Sequence, residues 1–426
     1  MKKALVLSGG GTKGAYQAGV LKALVECGMD DWDIVTGTSV GALHAALIVQ
    51  REYKDLFDIY SRLEPSKIIG GYLPKDKKIE NIVADRKEIK QTLVRYMKDK
   101  GLDVEPLKKN IHDLFHPDLF FASPVDFGCV VAEHKGHNGV YVTKDMMRDN
   151  GEKWLLASAS AFPVFPVCVI DGREYVDGGY YDNLPIDEAL RMGADEVLAI
   201  DLNPDPIHPQ FVQRDNMIYM FPKADTGDFL DFSEEKIRRL LALGYNDGHK
   251  ITGRYAGHKY TFHPYAPPRA FYRWYREVEM LETKIYQVSR IGQLMRSQQY
   301  IVDTIAGHMH LGHVSSADLF DGLMDEIMDL FDMDDEKVYS LDGVYAELYK
   351  RTEEVRQEDH GYRKGVLELA KFTTRSDRCG VMLEMLHMMY YPEHVLFKEE
   401  SGLMWYPLER AVAGFLFDWF EERGNR

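Results

Sequence analysis

The chain has 426 residues, of which 45% are hydrophobic, and its formal net charge is −16 at pH 7. A chain of this length buries a large core and divides into two parts, and its negative charge argues against nucleic acid and against electrostatic docking on an anionic membrane. Its four cysteines are scattered without the spacing of a disulfide framework or a metal site, which is typical of a reducing compartment and predicts a cytoplasmic protein.

The first predicted element is a buried strand over residues 4–7, and a glycine-rich run at residues 9–14 follows it directly. A helical pattern then covers residues 15–26. The apolar run before the glycines is only about five residues long, which is too short for the apolar region of a secretory leader. No stretch of the sequence reaches the length of a membrane span.

The glycine-rich run permits two interpretations. Gly9, Gly11 and Gly14 satisfy the G-x-G-x-x-G pattern of a dinucleotide-binding turn, and residues 30–33 supply acidic side chains roughly where such a fold places its ribose-binding acid. Alternatively, glycine amides at a helix N-terminus form a preorganised pocket for negative charge, which suits the oxyanion of an ester reaction. The second interpretation is favoured because it also gives a role to the serine turn that comes next.

The most informative stretch is that serine turn, Gly37-Thr38-Ser39-Val40-Gly41. A short apolar run precedes it at residues 32–35, of which residues 33–35 are predicted as a strand, and a helical pattern rich in small residues follows over residues 41–50. Strand, glycine-flanked serine and helix, in this order, are typical of a nucleophile elbow. In such a turn the glycine neighbours let strand and helix approach, and the serine oxygen projects from the sheet edge. The pattern predicts Ser39 as a nucleophile.

Further strand and helix patterns alternate along the first half of the chain. Strands are predicted over residues 127–132, 167–170 and 197–201, and helices over residues 146–159 and 186–192. Short apolar strands that alternate with helices predict an α/β fold with a parallel or mixed sheet covered on both faces. The charged, helix-prone residues 54–110 are predicted to lie over the catalytic edge.

A third cluster lies at residues 175–185, where Asp177-Gly178-Gly179 is followed by Asn183 and Pro185. Taken alone, Asp-Gly-Gly is typical of an ordinary surface turn. Beside the two earlier clusters it supplies a carboxylate, and its glycines let the backbone crowd a nucleophile. The segment just before it, residues 155–166, is rich in alanine, serine and proline.

In order and spacing, these clusters resemble the patatin-like phospholipase family across most of residues 4–250. The resemblance implies a three-layer α/β sandwich with a mostly parallel central sheet, and a catalytic dyad of Ser39 and Asp177 without a third side chain. It also implies that the amides around Gly10, Gly11 and Thr12 form the oxyanion hole. The residues that support these motifs are Gly9, Lys13, Gly14, Gly37, Gly41, Gly178 and Gly179.

An aspartate base needs a suitable environment, because its ordinary pKa near 4 makes it weakly basic toward a hydroxyl. Burial raises the pKa of a carboxyl group and strengthens its hydrogen bond to the serine. We therefore expect Asp177 to be largely buried and within hydrogen-bond reach of Ser39. His44, the histidine nearest to the elbow in sequence, is expected to point away from Ser39 and to serve in packing or a solvent contact.

The resemblance fades near residue 250. Residues 1–250 are predicted to form the catalytic domain, and residues 251–426 a mainly α-helical domain of unknown role. Near the end of the first domain, a helix over residues 232–248 is predicted with Ser233 as its N-cap and Gly244 as its stop signal.

Two clusters in the second half suggest metal binding but lack its signatures. His308, His310 and His313 lie close together without the H-E-x-x-H arrangement of a catalytic zinc site. The acidic residues 329–336 lack the glycine and the terminal glutamate of a calcium loop. The sequence therefore predicts neither a metal nor a cofactor.

Two classes of function follow. The first is a serine acyl hydrolase that cleaves fatty-acyl esters with Ser39 and Asp177, and the resemblance implies phospholipids, lysophospholipids or neutral lipid esters as substrates. The second is a catalytically weak lipid-binding or regulatory protein on the same fold. The hydrolase is favoured because every catalytic position of the motifs is intact. Peripheral membrane contact through apolar surface and no nucleic-acid partner are expected, and the oligomeric state is left open.

Overall fold

The structure is a computed structural model that describes residues 1–61, 104–212, 214–288, 300–309, 315–357, 375–391 and 406–424. The chain is divided into two compact units, an N-terminal unit of Met1–Thr252 and a C-terminal unit of Gly253–Arg426. Most of residues 54–110, predicted to lie over the catalytic edge, falls outside the described residues, as do His310 and His313.

An eight-stranded sheet forms the centre of the N-terminal unit. Its strands are β1 (Lys3–Leu7), β2 (Ile34–Thr38), β3 (Asp126–Glu133), β4 (Gly139–Thr143), β5 (Cys168–Ile170), β6 (Arg173–Asp177), β7 (Glu196–Ile200) and β8 (Met217–Met220). They lie in the order β5-β6-β3-β2-β1-β7-β8, with β4 also paired to β3. The pairs from β3 through β2, β1 and β7 to β8 are parallel, whereas β4, β5 and β6 pair in antiparallel fashion. The sheet is mostly parallel, as predicted.

Helices cover both faces of this sheet. In the N-terminal unit they are α1 (Gly14–Glu26), α2 (Val40–Gln50), α3 (Tyr53–Ser61), α4 (Glu105–Leu114), α5 (Pro117–Ala122), α6 (Met147–Ser158), α7 (Ile186–Arg191) and α8 (Glu234–Ile251). Along β1, Leu5 and Leu7 belong to a buried cluster shared with α1 and α2, while Ala4 and Val6 belong to a second cluster shared with α7. Successive residues of a strand point to opposite faces, so this alternation confirms the predicted α/β fold.

Helices α1 and α8 approach each other closely at a glycine. A Cβ on Gly244 would lie 2.0 Å from the Tyr16 carbonyl oxygen. Helix α8 continues through Gly244 to Ile251, so the predicted stop at Gly244 is wrong, because this glycine permits close helix contact rather than ending the helix. Ser233 occupies the N-cap as predicted, although its side chain makes no capping hydrogen bond.

Helices also form most of the C-terminal unit, as predicted. They are α9 (Arg269–Val288), α10 (Tyr300–His308), α11 (Ser316–Leu330), α12 (Leu341–Arg351), α13 (Arg375–Tyr390) and α14 (Pro407–Gly424), while β9 (Thr261–Phe262) pairs with β10 (Val338–Tyr339). Large aromatic side chains fill its core, among them Trp274, Phe320 and Phe415. The Trp274 indole donates a hydrogen bond to the Ala411 carbonyl oxygen at 2.7 Å. Across the described ranges, no helix combines the length and the apolar character needed to cross a membrane.

Candidate active site

Ser39 lies on a strained turn between β2 and α2. Its backbone has φ 56° and ψ −125°, in the positive-φ region that residues other than glycine rarely adopt. A Cβ on Gly37 would lie 2.4 Å from the Gly41 carbonyl oxygen, and one on Gly41 would lie 2.4 Å from the Leu7 carbonyl oxygen. Only glycine fits at either position, so the two glycines hold Ser39 at the carboxyl end of the parallel strands.

Asp177 lies at the end of β6, next to the serine. The residue is 6% exposed, and the Ser39 side chain lies close enough to its carboxyl group to lower the pKa of that group. The Gly179 amide donates to Asp177 Oδ1 at 2.8 Å, and the Asp177 amide donates to the Ser160 carbonyl oxygen at 2.9 Å. The structure therefore brings together the two residues of the predicted dyad. A Cβ on Gly178 would lie 2.2 Å from the Val130 carbonyl oxygen, so glycine is required directly after the aspartate.

The surroundings of Asp177 change its acidity. Burial raises the pKa of its carboxyl group to about 6, while the hydrogen bonds from Gly179 and Ser39 act in the opposite direction. The group is ionised at neutral pH and is nevertheless more basic than an exposed aspartate. Such a carboxylate can accept a proton from the serine hydroxyl and return it within one catalytic cycle.

The glycine-rich loop runs beside the serine and leads through a 3-10 turn, Gly11–Lys13, into α1. A Cβ on Gly9 would lie 2.9 Å from the Cβ of Ser39, so the loop passes directly over the serine side chain. Within the part of the chain that the structure describes, the amides of Gly10 and Gly11 donate to no protein acceptor. Two unengaged main-chain donors beside a serine hydroxyl form an arrangement that can bind an oxyanion.

Thr12 departs from the sequence prediction. Its amide donates to the Phe229 carbonyl oxygen at 3.0 Å, and its hydroxyl bonds to the same oxygen at 3.1 Å. An amide that already donates to a protein carbonyl does not serve an oxyanion, so the predicted donor set loses Thr12 and keeps Gly10 and Gly11. The two partners are 217 positions apart in the chain, and no local pattern could have indicated the contact.

Two polar side chains, Ser158 and Asn183, hold these groups in place, although neither is assigned a role of its own from the sequence. Ser158 Oγ donates to the Val130 carbonyl oxygen at 2.7 Å and accepts the Ser39 amide at 3.0 Å. Asn183 Nδ2 donates to the Gly9 carbonyl oxygen at 3.2 Å, and the Asn183 carbonyl oxygen accepts the Gly9 amide at 3.1 Å. Ser158 thus fixes the backbone of the nucleophile, and Asn183 fixes the start of the glycine-rich loop.

His44 is buried and does not act on Ser39. Its Nδ1 lies 2.9 Å from Gln17 Oε1, and its Nε2 lies 2.8 Å from the Tyr60 hydroxyl. Because the Gln17 amide nitrogen donates to the Ser8 carbonyl oxygen, Gln17 presents its oxygen to His44, which donates from Nδ1 and accepts from Tyr60. Burial lowers the pKa of His44 to about 3, so the ring is neutral. The packing role expected for His44 is confirmed.

Ser39 and Asp177 border a cavity of about 790 Å³ within the N-terminal unit. The glycine-rich loop, including Lys13, forms one part of its wall. Apolar side chains form much of the remaining wall, among them Leu43, Leu47, Ile111, Leu114, Phe115, Leu155 and Phe165. A cavity with polar groups beside the serine and a wall that is apolar over much of its extent suits a hydrocarbon chain attached to an ester.

The dinucleotide interpretation of the glycine-rich run does not fit this geometry. Asp33 immediately precedes β2, and its carboxylate accepts the Lys3 amide at 2.8 Å, at the amino end of the paired strands β1 and β2. The glycine-rich loop lies at the carboxyl end of the same strands. A ribose-binding acid must lie at the edge that carries the pyrophosphate loop, so Asp33 cannot serve a nucleotide bound there.

The histidine cluster at residues 308–313 lies largely outside the described residues, and Asp329 of the acidic run is bonded to other side chains. His308 ends α10, and the other two clustered histidines fall outside the described residues. In the acidic run, Asp329 accepts hydrogen bonds from Lys259 Nζ and from the Tyr260 hydroxyl, the latter at 2.7 Å. No group of three or more His, Cys, Asp or Glu side chains in the described ranges is arranged to hold a metal ion.

Comparison with known proteins identifies this class of domain. Residues 5–190 match the family model of patatin-like phospholipase. The patatin-like phospholipase domain-containing protein 7 of Mus musculus is 32% identical over 212 residues, which cover 47% of this chain and 13% of that protein. The lysophospholipase NTE1 of Scheffersomyces stipitis is 25% identical over 214 residues, covering 46% of this chain and 11% of that protein.

Residues 5–190 are therefore similar to patatin-like phospholipase domains, and the family resemblance drawn from the motifs is confirmed. This chain spans only a small part, 13% and 11%, of the length of these two curated relatives. Among solved structures, VipD from Legionella pneumophila is similar with a TM-score of 0.40 and 14% identity, over 98% of this chain and 90% of that one.

Proposed function

We propose that the protein is a serine acyl hydrolase that cleaves fatty-acyl ester bonds of lipids. The observation that carries the proposal is the close approach of Ser39, on its strained turn, to the buried carboxylate of Asp177. The glycine-rich loop beside the serine and the apolar cavity around it support the same chemistry. The matched relatives are named as phospholipase and lysophospholipase proteins, which favours lipid esters as the substrate class.

The proposed reaction has two halves. Ser39 Oγ attacks the ester carbonyl carbon while its proton passes to Asp177, and the amides of Gly10 and Gly11 hold the negative charge that develops on the carbonyl oxygen. Asp177 then returns the proton to the departing alcohol, which leaves an acyl group on Ser39. A water molecule attacks this acyl ester, Asp177 accepts its proton, and the fatty acid departs as the proton returns to Ser39.

The substrate class follows from the walls of the cavity. Leu43, Leu47 and Phe165 are among the side chains that an acyl chain would contact, and the gain from burying it scales with the apolar area removed from water. Phospholipids, lysophospholipids and neutral lipid esters all carry such a chain. Since the chain has a net charge of −16, we expect membrane contact to depend on apolar surface. We also propose that the protein is located in the cytoplasm.

The experiment that tests the proposal is labelling with a fluorophosphonate probe, combined with fatty-acid release from phosphatidylcholine, lysophosphatidylcholine and triacylglycerol. The wild-type chain is expected to be labelled at Ser39 and to release fatty acid, whereas Ser39→Ala is expected to do neither. Ser316→Ala, at an exposed position of α11, serves as the matched serine control. A wild-type chain that binds lipid vesicles but shows neither labelling nor release would instead support the regulatory, lipid-binding alternative.

A further inference from the structure

Residues 225–232, here called the strap, connect the two sides of the candidate active site. On one side, Phe232 of the strap packs in a buried cluster with Phe165 and Val104, and Leu230 packs against this cluster. Phe165 belongs to the segment that directly follows α6 and leads to β5. The strap is therefore anchored by apolar packing to the segment between α6 and β5, whose Phe165 also lines the cavity.

On its other side, the strap is hydrogen-bonded to the glycine-rich loop. The Phe229 carbonyl oxygen accepts both the Thr12 amide at 3.0 Å and the Thr12 hydroxyl at 3.1 Å. Gly11 has φ +57°, and a Cβ at this position would lie 2.4 Å from the same carbonyl oxygen. The loop can thus reach the strap only because position 11 is glycine.

Lys236, on the first turns of α8, joins the two partners. Its Nζ donates to Thr12 Oγ1 at 3.3 Å and also to the Asp228 carbonyl oxygen. Burial lowers the pKa of Lys236, and the nearby carboxylates of Asp231 and Asp228 oppose this effect. One ammonium group therefore binds the loop through a side chain and the strap through its main chain, and a charged donor makes such bonds stronger than neutral ones.

The strap is also stiffened from within. The carboxylates of Asp225, Asp228 and Asp231 each accept the amide two residues further along, at 2.8, 2.9 and 2.9 Å. Such turns hold the backbone in one local conformation. The carbonyl oxygen that binds Thr12 is therefore presented by a preformed segment.

We propose that Lys236 and the strap are positioning elements of the oxyanion hole, a role that depends on the proposed hydrolase function. Three consecutive glycines have more backbone freedom than any other sequence, so the amides of Gly10 and Gly11 need an external support to keep their direction. The hydrogen bonds of Thr12 to Phe229 supply it, and Lys236 bonds both to Thr12 and to the Asp228 carbonyl oxygen of the strap. Donors that are fixed before the reaction stabilise the developing charge without reorganisation.

The strap also borders the substrate cavity. Phe229, Leu230 and Phe232 all line it, and the Phe229 side chain is 42% exposed. An acyl chain that packs on these residues would contact the same segment that orients the oxyanion donors. The strap thus links substrate binding to the geometry of the catalytic loop.

Four variants test the inference: Lys236→Met, Thr12→Val, the double variant, and Lys22→Met at an exposed position of α1 as the matched lysine control. We expect kcat to fall about tenfold in each single variant with KM within about twofold, because misplaced donors weaken transition-state binding and spare substrate binding. Inhibition by a trifluoromethyl ketone should weaken by the same factor as kcat/KM falls. The double variant should lose no more than either single variant, since both break one chain of contacts.

The outcomes separate this inference from the proposed function. A wild-type chain that neither labels nor hydrolyses overturns both. An active wild-type chain whose Lys236→Met variant keeps its kcat, or whose double variant shows the product of the two single losses, overturns the positioning role alone. Thermal unfolding of each variant is measured in parallel. The inference requires that Thr12→Val loses kcat while it is still folded. A loss of kcat that is explained by unfolding at the assay temperature therefore counts against the inference.

Discussion

Asp177 in the N-terminal unit and Asp325 in the C-terminal unit are both largely buried carboxylates, at 6% and 9% exposure, but they have different partners. Asp325 accepts the Lys259 and Tyr260 amides and lies 2.7 Å from His258 Nδ1. These donors come from one short segment, so the carboxylate fixes that segment to α11. Asp177 accepts the Gly179 amide and lies beside the Ser39 side chain, and burial raises its pKa to about 6. The Asp177 carboxylate is thus placed to act on a neighbouring hydroxyl, whereas the Asp325 carboxylate holds a segment of the chain in place.

Glycines in the two units show the same contrast. Gly37, Gly41 and Gly178 of the N-terminal unit each meet a main-chain oxygen that leaves no room for a Cβ. Gly380, exposed within α13 of the C-terminal unit, has nothing within 4 Å of a Cβ position. Three close backbone contacts that only glycine permits therefore surround Ser39 and Asp177, and Ser39 itself has a strained φ of 56°. Around Ser39 and Asp177, where its chemistry is proposed to occur, this protein retains a strained backbone and a desolvated carboxylate.

The strongest test of this difference is to replace aspartate by asparagine at position 177 in one variant and at position 325 in another. In Asp177→Asn, hydrolysis should fall about 10³-fold because the general base is lost. Stability should nevertheless rise. The folded-state pKa of about 6 lies above the ordinary value of 3.8. Ionisation of Asp177 therefore leaves the free energy of unfolding unchanged below pH ~4 and lowers it progressively between pH ~4 and ~6. At higher pH the loss is about 3 kcal/mol.

Asp325→Asn should have the opposite effect on stability. The amide group of the asparagine would face at least one of the three donors that now bond to the carboxylate, which should lower the free energy of unfolding by about 2 kcal/mol. Fluorophosphonate labelling of Ser39 should continue. Urea denaturation of both variants at pH 7 and pH 4 measures the two free energies of unfolding. The comparison fails if Asp177→Asn is less stable than the wild-type chain at pH 7, or if its gain persists at pH 4.

A second pair compares glycines. Gly178→Ala should lower the free energy of unfolding by about 3 kcal/mol, because its Cβ would lie 2.2 Å from the Val130 carbonyl oxygen and force the end of β6 away from β3. Gly380→Ala should raise it by about 1 kcal/mol, since alanine is the better helix former and meets no neighbour. Thermal unfolding measures both. Equal and small changes in the two variants would show that the close contact at Gly178 relaxes at little cost.

Much of this site could be predicted from sequence because its requirements are local. The strained turn of Ser39 needs glycine on both sides, and Asp177 needs glycine after it, so both leave a readable pattern. Strand β6 escaped prediction because its first two residues, Arg173 and Glu174, are exposed and interrupt the apolar run. The two faces of the sheet were predictable from short apolar strands alternating with helices.

The rest of the site depends on contacts that leave no such pattern. The Phe229 carbonyl oxygen engages the Thr12 amide from 217 positions away, and any residue supplies a carbonyl oxygen. Lys236 and Ser158 act through similarly distant main-chain groups. Gly244 misled the prediction because the pattern that ends a helix is the same pattern that permits two helices to touch. Long-range main-chain contacts therefore set the limit of prediction from sequence.

The smallest expected effect is the pH dependence of catalysis, and it depends on Asp177 alone. The base must be ionised to accept the serine proton, so kcat/KM for a neutral ester should rise with pH and reach half of its plateau near pH 6, where burial places the pKa of Asp177. His44 cannot contribute in this range, because burial lowers its pKa to about 3 and it stays neutral. Initial rates between pH 4 and pH 8, with fluorophosphonate labelling of Ser39 as a second readout, measure the profile. A midpoint near 4 would mean that water reaches Asp177 in solution, and one above 7 would assign the proton to a different group; either result would contradict the role of a buried, basic carboxylate proposed for Asp177.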